Sequence, residues 1–143
     1  MKCFLFLVFC CIPFSFFAKN VDVITAEKIA KFVLTGVDTQ TRSNEIDVSL
    51  IWTGEDVCTR MNNSPAYYVF NKVGGNGFVI VSGDDIIKPI LAYSYVNSFH
   101  VENMPDNLRA WMAYYREQIN WAREENIVSD EETIWAWERL RMK

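Results

Sequence analysis

Two apolar strand patterns joined by a glycine-rich turn restrict the fold of this chain more than any other feature. Residues 67–71 and 78–81 are aromatic and β-branched, and the turn between them contains Gly74, Gly75 and Gly77. Glycines supply the positive φ angles that a hairpin turn needs, so the two runs are predicted to pair as antiparallel strands. The second run, Phe-Val-Ile-Val, is apolar on both faces, which indicates a central strand covered on both sides.

Further strand patterns lie on either side of this hairpin. Residues 82–85, Ser-Gly-Asp-Asp, form a turn, and Pro89 cannot donate to a strand ladder. The next strand is therefore predicted to begin after Pro89, at about residues 90–95. Before the hairpin, apolar residues alternate with polar ones in the pattern of a strand with one wet face, at Ile46, Val48, Leu50 and Trp52.

Three helices are predicted from apolar spacing and capping residues. Thr25 is the predicted N-cap of the first helix, which ends at Gly36. Ser129 and Glu132 have the spacing of a capping box that opens the last helix, residues 130–141. Between them, a long helix from residue 106 carries one apolar stripe, made of Leu108, Trp111, Met112, Tyr115, Ile119 and Ala122. This order of elements predicts the α+β class, an antiparallel sheet of about four strands packed with about three helices.

A second row on the long helix lies off the main stripe and has two interpretations. Ala110, Tyr114 and Trp121 recur at helical spacing. They are either further core, packed against the last helix, or an exposed face for a partner. Apolar residues at helical spacing usually pack, so core is the favoured interpretation.

The first 18 residues have the composition of a secretory signal peptide. Lys2 precedes an uncharged apolar run, residues 3–17, and Ala18 is followed by polar residues. The run is too short for a comfortable membrane span. A lipoprotein signal ending at Cys10 is the alternative, and the Phe before that Cys argues against it. We expect residues 1–18 to be removed and residues 19–143 to form a single domain, secreted or periplasmic.

The candidate groups for catalysis and metal binding are few. After residues 1–18, Cys58 is the remaining cysteine and His100 the single histidine. Cys58 lies in a polar loop with no helix start behind it to lower its pKa, so it is interpreted as a packed, inert thiol and His100 as a surface residue. One Cys and one His cannot complete a tetrahedral zinc site. The sequence predicts neither an enzyme nor a metal site.

Charge and motif content argue against two further classes of partner. The chain carries 14 basic and 18 acidic side chains, a net charge of −4, whereas binding to nucleic acid needs a concentrated basic face. The glycine-rich turn is not followed by Lys-Ser/Thr or by a helix, so it does not match a phosphate-binding loop. No nucleic-acid partner and no small-molecule cofactor are predicted.

The connection between the last strand and the long helix is the feature that suggests more than packing. Pro105 fixes one φ angle and biases Met104 toward extended backbone, and Asp106 or Asn107 is predicted to cap the helix. A segment held by a strand and by a capped helix loses little entropy on docking, which suits a loop that fills another protein's cleft. From the residues alone, an ordinary connection between strand and helix is the favoured interpretation, because such loops are the commonest connections.

The motifs YYVFN, GGNGFVIVSGDD, ILAYS, SF and NLRAWMAYYREQI stand in an order and spacing that resembles the prodomain of streptopain-type cysteine peptidases. The resemblance covers roughly residues 25–121. That prodomain is also similar to small free-standing inhibitors of the same peptidases. Two departures are visible: Ala92 replaces the usual Gly before Tyr-Ser, and the Met-Pro-Asp segment is one residue longer than in streptopain.

The resemblance implies a partner and a site. In that family the prodomain packs beside a papain-like domain, and an Asn at the start of its helix enters the active-site region and disturbs the catalytic His. Asn107 stands at the matching position, with Asn103 as the next candidate because of the longer segment. The predicted partner-binding residues are those two asparagines together with Met104, Pro105, Asp106 and Leu108. We call residues 102–108 the arm, and the resemblance implies that it occludes the cleft of a streptopain-like cysteine peptidase.

The resemblance also sets the expected class of protein. No Gly-Cys segment and no Gly-Gly-His segment of a papain-like domain follows the prodomain-like region before Lys143. A secreted, non-enzymatic inhibitor is therefore the expected function. Two alternatives remain open: an exported interaction module without a protease target, and the detached prodomain of a full-length peptidase.

Overall fold

The computed structural model describes residues 20–36, 46–54 and 64–142. They form an antiparallel sheet of four strands, in the order β1-β2-β3-β4, with three helices packed against it. The α+β class is therefore confirmed. The elements are α1 (Val23–Thr35), β1 (Val48–Thr53), β2 (Tyr67–Lys72), β3 (Phe78–Ser82), β4 (Ile90–Ser94), α2 (Asp106–Glu124) and α3 (Glu131–Arg141).

The sheet separates two apolar cores. Tyr68 and Phe70 of β2 point to one face, where α1 and Trp137 of α3 cover them. Val69 of β2 and Ile80 of β3 point to the opposite face, where the apolar stripe of α2 packs. Side chains alternate between the two faces of a strand, so central strands covered by helices on both sides must be apolar throughout. This confirms the prediction from the Phe-Val-Ile-Val run.

The hairpin between β2 and β3 forms as predicted. Gly74 has a φ of 71° and Gly77 a φ of 134°, and the Lys72 N–H donates to the Gly77 carbonyl across the turn at 2.9 Å. Strand β1 departs from the predicted alternation, because its register against β2 shifts between Leu50 and Trp52. After the shift, Trp52 packs against the core on the α2 side of the sheet. Leu50 is exposed, whereas the alternation pattern assigns it to the buried side.

The caps of the first and last helices lie one to three residues away from the predicted positions. Helix α1 is capped by Asp22, whose carboxylate accepts from the N–H and the hydroxyl of Thr25, so the prediction of Thr25 as the cap is wrong. Helix α3 is capped by Asp130 rather than Ser129. The Ser129 hydroxyl instead donates to the Asp85 carbonyl at 2.7 Å. Each of these two aspartates accepts a hydrogen bond from the backbone N–H of the residue three positions later in the chain. Ser and Thr cap helices with the same spacing.

A buried ion pair joins the C-terminal end of α2 to the turn after β3. Arg123 Nε lies 2.7 Å from Asp84 Oδ2, and the two side chains are 6% and 2% exposed. The guanidinium also donates to the carbonyl oxygens of Ser64, Pro65 and Gly83 at 3.0, 3.1 and 3.2 Å. Four polar groups from two segments are thereby satisfied by one side chain, as buried polar groups require.

The next residue of the same turn holds α3. Asp85 Oδ2 lies 3.0 Å from Arg141 Nη2, in a more exposed pair. The Trp137 indole N–H donates to the Ile87 carbonyl at 2.8 Å. The acidic turn therefore positions both C-terminal helices on opposite faces of the sheet. None of the helices among the described residues is long and apolar enough to cross a membrane.

Candidate functional site

The connection from β4 to α2 presents exposed residues between two buried anchors. Residues 100–103 are exposed, whereas the residues on either side of them, Phe99 and Met104, are only 5% and 6% exposed. A stretch of four residues fixed at both ends has few conformations to lose when it docks. The geometry therefore fits a preformed contact segment.

The first anchor, Phe99, is held by a side-chain amide that bonds to its backbone as a neighbouring strand would. Asn71 of β2 donates from Nδ2 to the Phe99 carbonyl and accepts at Oδ1 from the Phe99 N–H, both at 2.9 Å. The Phe99 ring lies 6.2 Å from the Trp52 ring in a stacked arrangement and 5.4 Å from Phe78, edge to face. Two hydrogen bonds and two aromatic contacts thus hold the start of the exposed stretch.

The second anchor is Met104. Its side chain lies in the core between the sheet and α2, so it does not reach the surface that a partner would meet, although the sequence had included it among the contact residues. The Arg109 guanidinium donates to the Met104 carbonyl at 3.1 Å, and the Arg109 N–H donates to the Pro105 carbonyl at 2.9 Å. Leu108 is half-buried and packs against the same core.

The other arm residues that the sequence selected are on the surface. Asn103, Pro105, Asp106 and Asn107 are all exposed. The Asn107 Oδ1 atom accepts from the Leu108 N–H at 2.9 Å, which orients the amide at the first turn of α2. The structure thus brings Asn103 and Asn107 to the surface on either side of the Met104 anchor.

The start of α2 differs from the prediction that Asp106 or Asn107 caps the helix. The helix begins at Asp106, and its N-cap is Pro105, which makes no side-chain capping bond. Asp106 contributes instead as an acidic residue in the first turn, where negative charge interacts favourably with the helix dipole. The side chains of Asp106 and Asn107 are therefore not used as caps.

The second row of α2 is exposed, so its assignment to the core is wrong. Tyr114 and Trp121 are 56% and 57% exposed, and Ala110 is exposed as well. The main stripe of α2 faces the sheet, with Met112, Ile119 and Ala122 buried, whereas α3 packs on the opposite face of the sheet. Helical spacing alone did not distinguish an apolar row that packs from one that faces outward.

The groups considered for catalysis or metal binding add nothing to this site. Cys58 lies outside the described residues. His100 is exposed, at the start of the stretch between the two anchors. Among the residues that the structure describes, no cluster of His, Cys, Asp or Glu has an arrangement suited to a metal ion.

The two anchors were not found from the sequence. The signal for the first was present, because asparagine is disfavoured in strands and Asn71 ends the Tyr-Val-Phe-Asn run. Its partner lies 28 residues further along the chain. The signal for the second was the apolar Met104 between polar neighbours in the connection.

Comparisons with known proteins identify the family. A model of the Spi protease inhibitor family matches residues 18–119, a range that contains the four strands and the arm. The thiol protease/hemagglutinin PrtT of Porphyromonas gingivalis is 34% identical over 53 residues, which cover 37% of this chain. The match spans only 6% of that relative's length. No solved structure matches the chain. The chain belongs to the Spi protease inhibitor family.

Proposed function

We propose that this protein inhibits a streptopain-like cysteine peptidase by binding without a covalent bond and occluding the active site with the arm. Family membership supports inhibition of a protease, and the partial similarity to a thiol protease supports a cysteine peptidase as the target class. The observation that carries the proposal is the exposed stretch 100–103 between the Phe99 and Met104 anchors, together with the exposed residues 105–107 that follow Met104.

Preorganisation explains why such an arm can inhibit. Ordering a flexible interface side chain on binding costs about 0.5–1.5 kcal/mol, and a segment already ordered avoids much of that cost. Asn71 fixes the backbone at Phe99, and Arg109 fixes it at Met104. The arm can therefore enter a cleft as a rigid body, with the folded domain behind it excluding substrate.

Asn107 is the residue proposed to act at the catalytic centre. Its amide group is exposed at the start of α2 and oriented by the Leu108 N–H. A neutral amide can donate to and accept from a catalytic imidazole without itself reacting. Asn103, on the other side of the Met104 anchor, is the second candidate for this role.

Export is part of the proposal. The composition of residues 1–18 supports a signal peptide, and a secreted or periplasmic inhibitor would meet exported peptidases. N-terminal sequencing of the protein recovered from the medium or periplasm tests this. A recovered N-terminus at Met1 would contradict it.

Titration of a purified peptidase tests the proposed inhibition. Streptopain, and PrtT as a second target, are incubated with increasing amounts of the protein, and residual peptidase activity is measured. A linear loss of activity to a stoichiometric end point is expected, with the intact mass of the inhibitor unchanged. Full activity of both peptidases at excess protein would overturn the proposal.

An asparagine pair tests the residue assignment. Asn107→Ala is expected to fold and to inhibit at least tenfold less well, since loss of a central interface residue costs about 2 kcal/mol or more. Asn20→Ala is the matched control, because Asn20 is also exposed but belongs to the bridge with Asp84, far from the arm in sequence. An unchanged inhibition constant for Asn107→Ala would remove this residue from the mechanism.

A further inference from the structure

The outer face of α2 carries two large aromatic side chains in line with Asn107. Tyr114 and Trp121 follow Asn107 at intervals of seven residues, and both rings are more than half exposed. A seven-residue step returns to nearly the same side of an α-helix, with a drift of about 20° for each heptad. The three residues therefore share one side of α2, which flanks the side that packs on the sheet.

This row extends the arm surface along the helix. The rise of about 1.5 Å per residue puts Trp121 about 20 Å from Asn107 along the helix axis. Ala110, exposed and small, lies between Asn107 and Tyr114 and leaves room for a partner to approach the helix. The row begins two residues after the end of the arm, so a protein docked on the arm would meet it.

The area of the arm is too small for a stable complex by itself. Specific protein interfaces bury about 800 Å² on each partner and use about 20–30 residues a side. The exposed stretch 100–103 and residues 105–107 can supply only a fraction of that area. The outer face of α2 is the adjoining exposed surface on the same rigid element.

The chemistry of the row matches that of an interface centre. Tyr and Trp are enriched among the residues that carry most of the binding energy, because a rigid ring buries much area for little lost entropy. Tyr114 is already held in place, since its hydroxyl accepts from Gln118 Nε2 at 2.7 Å and its ring lies edge to face with Tyr115 at 6.4 Å. Exposed Glu117 and Glu124 flank the row.

We propose that the outer face of α2, defined by Ala110, Tyr114 and Trp121, is a second docking surface for the peptidase that the arm inhibits. This inference rests on the proposed function. The complementary surface on the peptidase lies beside its cleft, is apolar where it meets the two rings, and carries basic residues opposite Glu117 and Glu124. The arm then blocks the active site, and the helix face supplies most of the residence time.

A pair of tryptophans gives a matched test. Trp121→Ala and Trp135→Ala remove the same side chain at similar exposure, 57% and 64%, but Trp135 belongs to α3 on the opposite face of the sheet. Binding to streptopain and to PrtT is measured by surface plasmon resonance, with each peptidase inactivated at its catalytic cysteine, and thermal unfolding verifies the fold. Trp121→Ala is expected to weaken binding at least tenfold, mainly through faster dissociation. Trp135→Ala is expected to bind as the wild type does.

The outcomes separate this inference from the proposed function. Wild-type protein that binds neither peptidase overturns both. Wild-type protein that inhibits, with unchanged binding of both Trp121→Ala and Tyr114→Ala, overturns the second surface alone. A second copy of this chain is the competing occupant of the outer face of α2, and analytical ultracentrifugation tests for it. A dimer that Trp121→Ala converts to monomer, with unchanged inhibition of the peptidase, also overturns the second docking surface.

Glu117→Lys supplies an independent test of the charge on the peptidase. If the facing surface is basic, this variant is expected to associate with the peptidase more slowly than the wild type at low salt. An unchanged association rate refutes the basic surface.

Discussion

Replacing Arg123 with methionine removes one half of the buried ion pair with Asp84 and all of its bonds to three backbone carbonyls. The carboxylate of Asp84 remains buried and keeps its bond from the Ile86 N–H. Breaking a buried pair from one side costs about 3–5 kcal/mol, because the remaining charge is left without compensation. A loss of this size is a large fraction of the total stability of a domain, which is about 5–15 kcal/mol.

Urea unfolding measures this loss. With a slope of about 2 kcal/mol per molar, a loss of about 4 kcal/mol lowers the midpoint by about 2 M. Arg141→Met is the matched comparison, because Arg141 pairs with the neighbouring Asp85 but the two side chains are 41% and 18% exposed. Exposed pairs contribute about 0–1 kcal/mol, so its midpoint is expected to fall by about 0.5 M or less.

A double variant isolates the effect of the unpaired Asp84 charge on the free energy of unfolding. Asp84→Asn keeps an oxygen for the Ile86 N–H but removes the uncompensated charge, so Asp84→Asn with Arg123→Met is expected to recover part of the loss. If Arg123→Met lowers the midpoint no more than Arg141→Met does, the buried cluster does not carry the stability that its geometry indicates.

Three further predictions concern the anchors and a cap. Met104→Ala is expected to lower the free energy of unfolding by about 2–5 kcal/mol and to weaken inhibition, because it leaves a cavity under the arm; full inhibition by a folded variant would show that this anchor is dispensable. Asn71→Ala is expected to accelerate hydrogen exchange at the Phe99 amide, which loses its acceptor. Unchanged protection of that amide would show that Asn71 does not hold the Phe99 backbone. The hydrogen bonds from Thr25 lower the pKa of the Asp22 carboxyl group in the folded protein. Its carboxylate therefore stabilises α1 at any pH above the pKa of the unfolded chain, and this stabilisation is lost as the pH falls through the lower pKa of the folded state. Asp22→Ala should therefore cost about 1 kcal/mol at pH 7 and progressively less below about pH 4, as measured by urea midpoints across pH, and a cost independent of pH would argue against the cap.

Local sequence patterns predicted the helices and strands, whereas the strand register and the buried ion pair depend on contacts between residues far apart in the chain. The run 78–81 was recognised as a central strand because its apolar residues occupy both faces, a property visible without any partner. The bulge after Leu50 was not recognised, since the register of β1 depends on its pairing with β2. The pairing of Arg123 with Asp84 joins residues 39 apart and leaves no periodic signal.

The site was predicted in part for the same reason. Pro105 and the change of period after it located the connection between β4 and α2, and Asn107 lies on the surface there. Which side chains of the connection point inward was not predictable, because that depends on the space between α2 and the sheet. Met104 fills that space, and the Tyr114 and Trp121 row does not.

Hydrogen–deuterium exchange of the complex tests most directly whether the arm enters the peptidase cleft. The protein is compared free and bound to streptopain, or to PrtT, inactivated at its catalytic cysteine. Strong protection on binding is expected at the amides of residues 100–109, with little change in α3. Inhibition of the active peptidase combined with unchanged exchange across residues 100–109 would contradict occlusion by the arm.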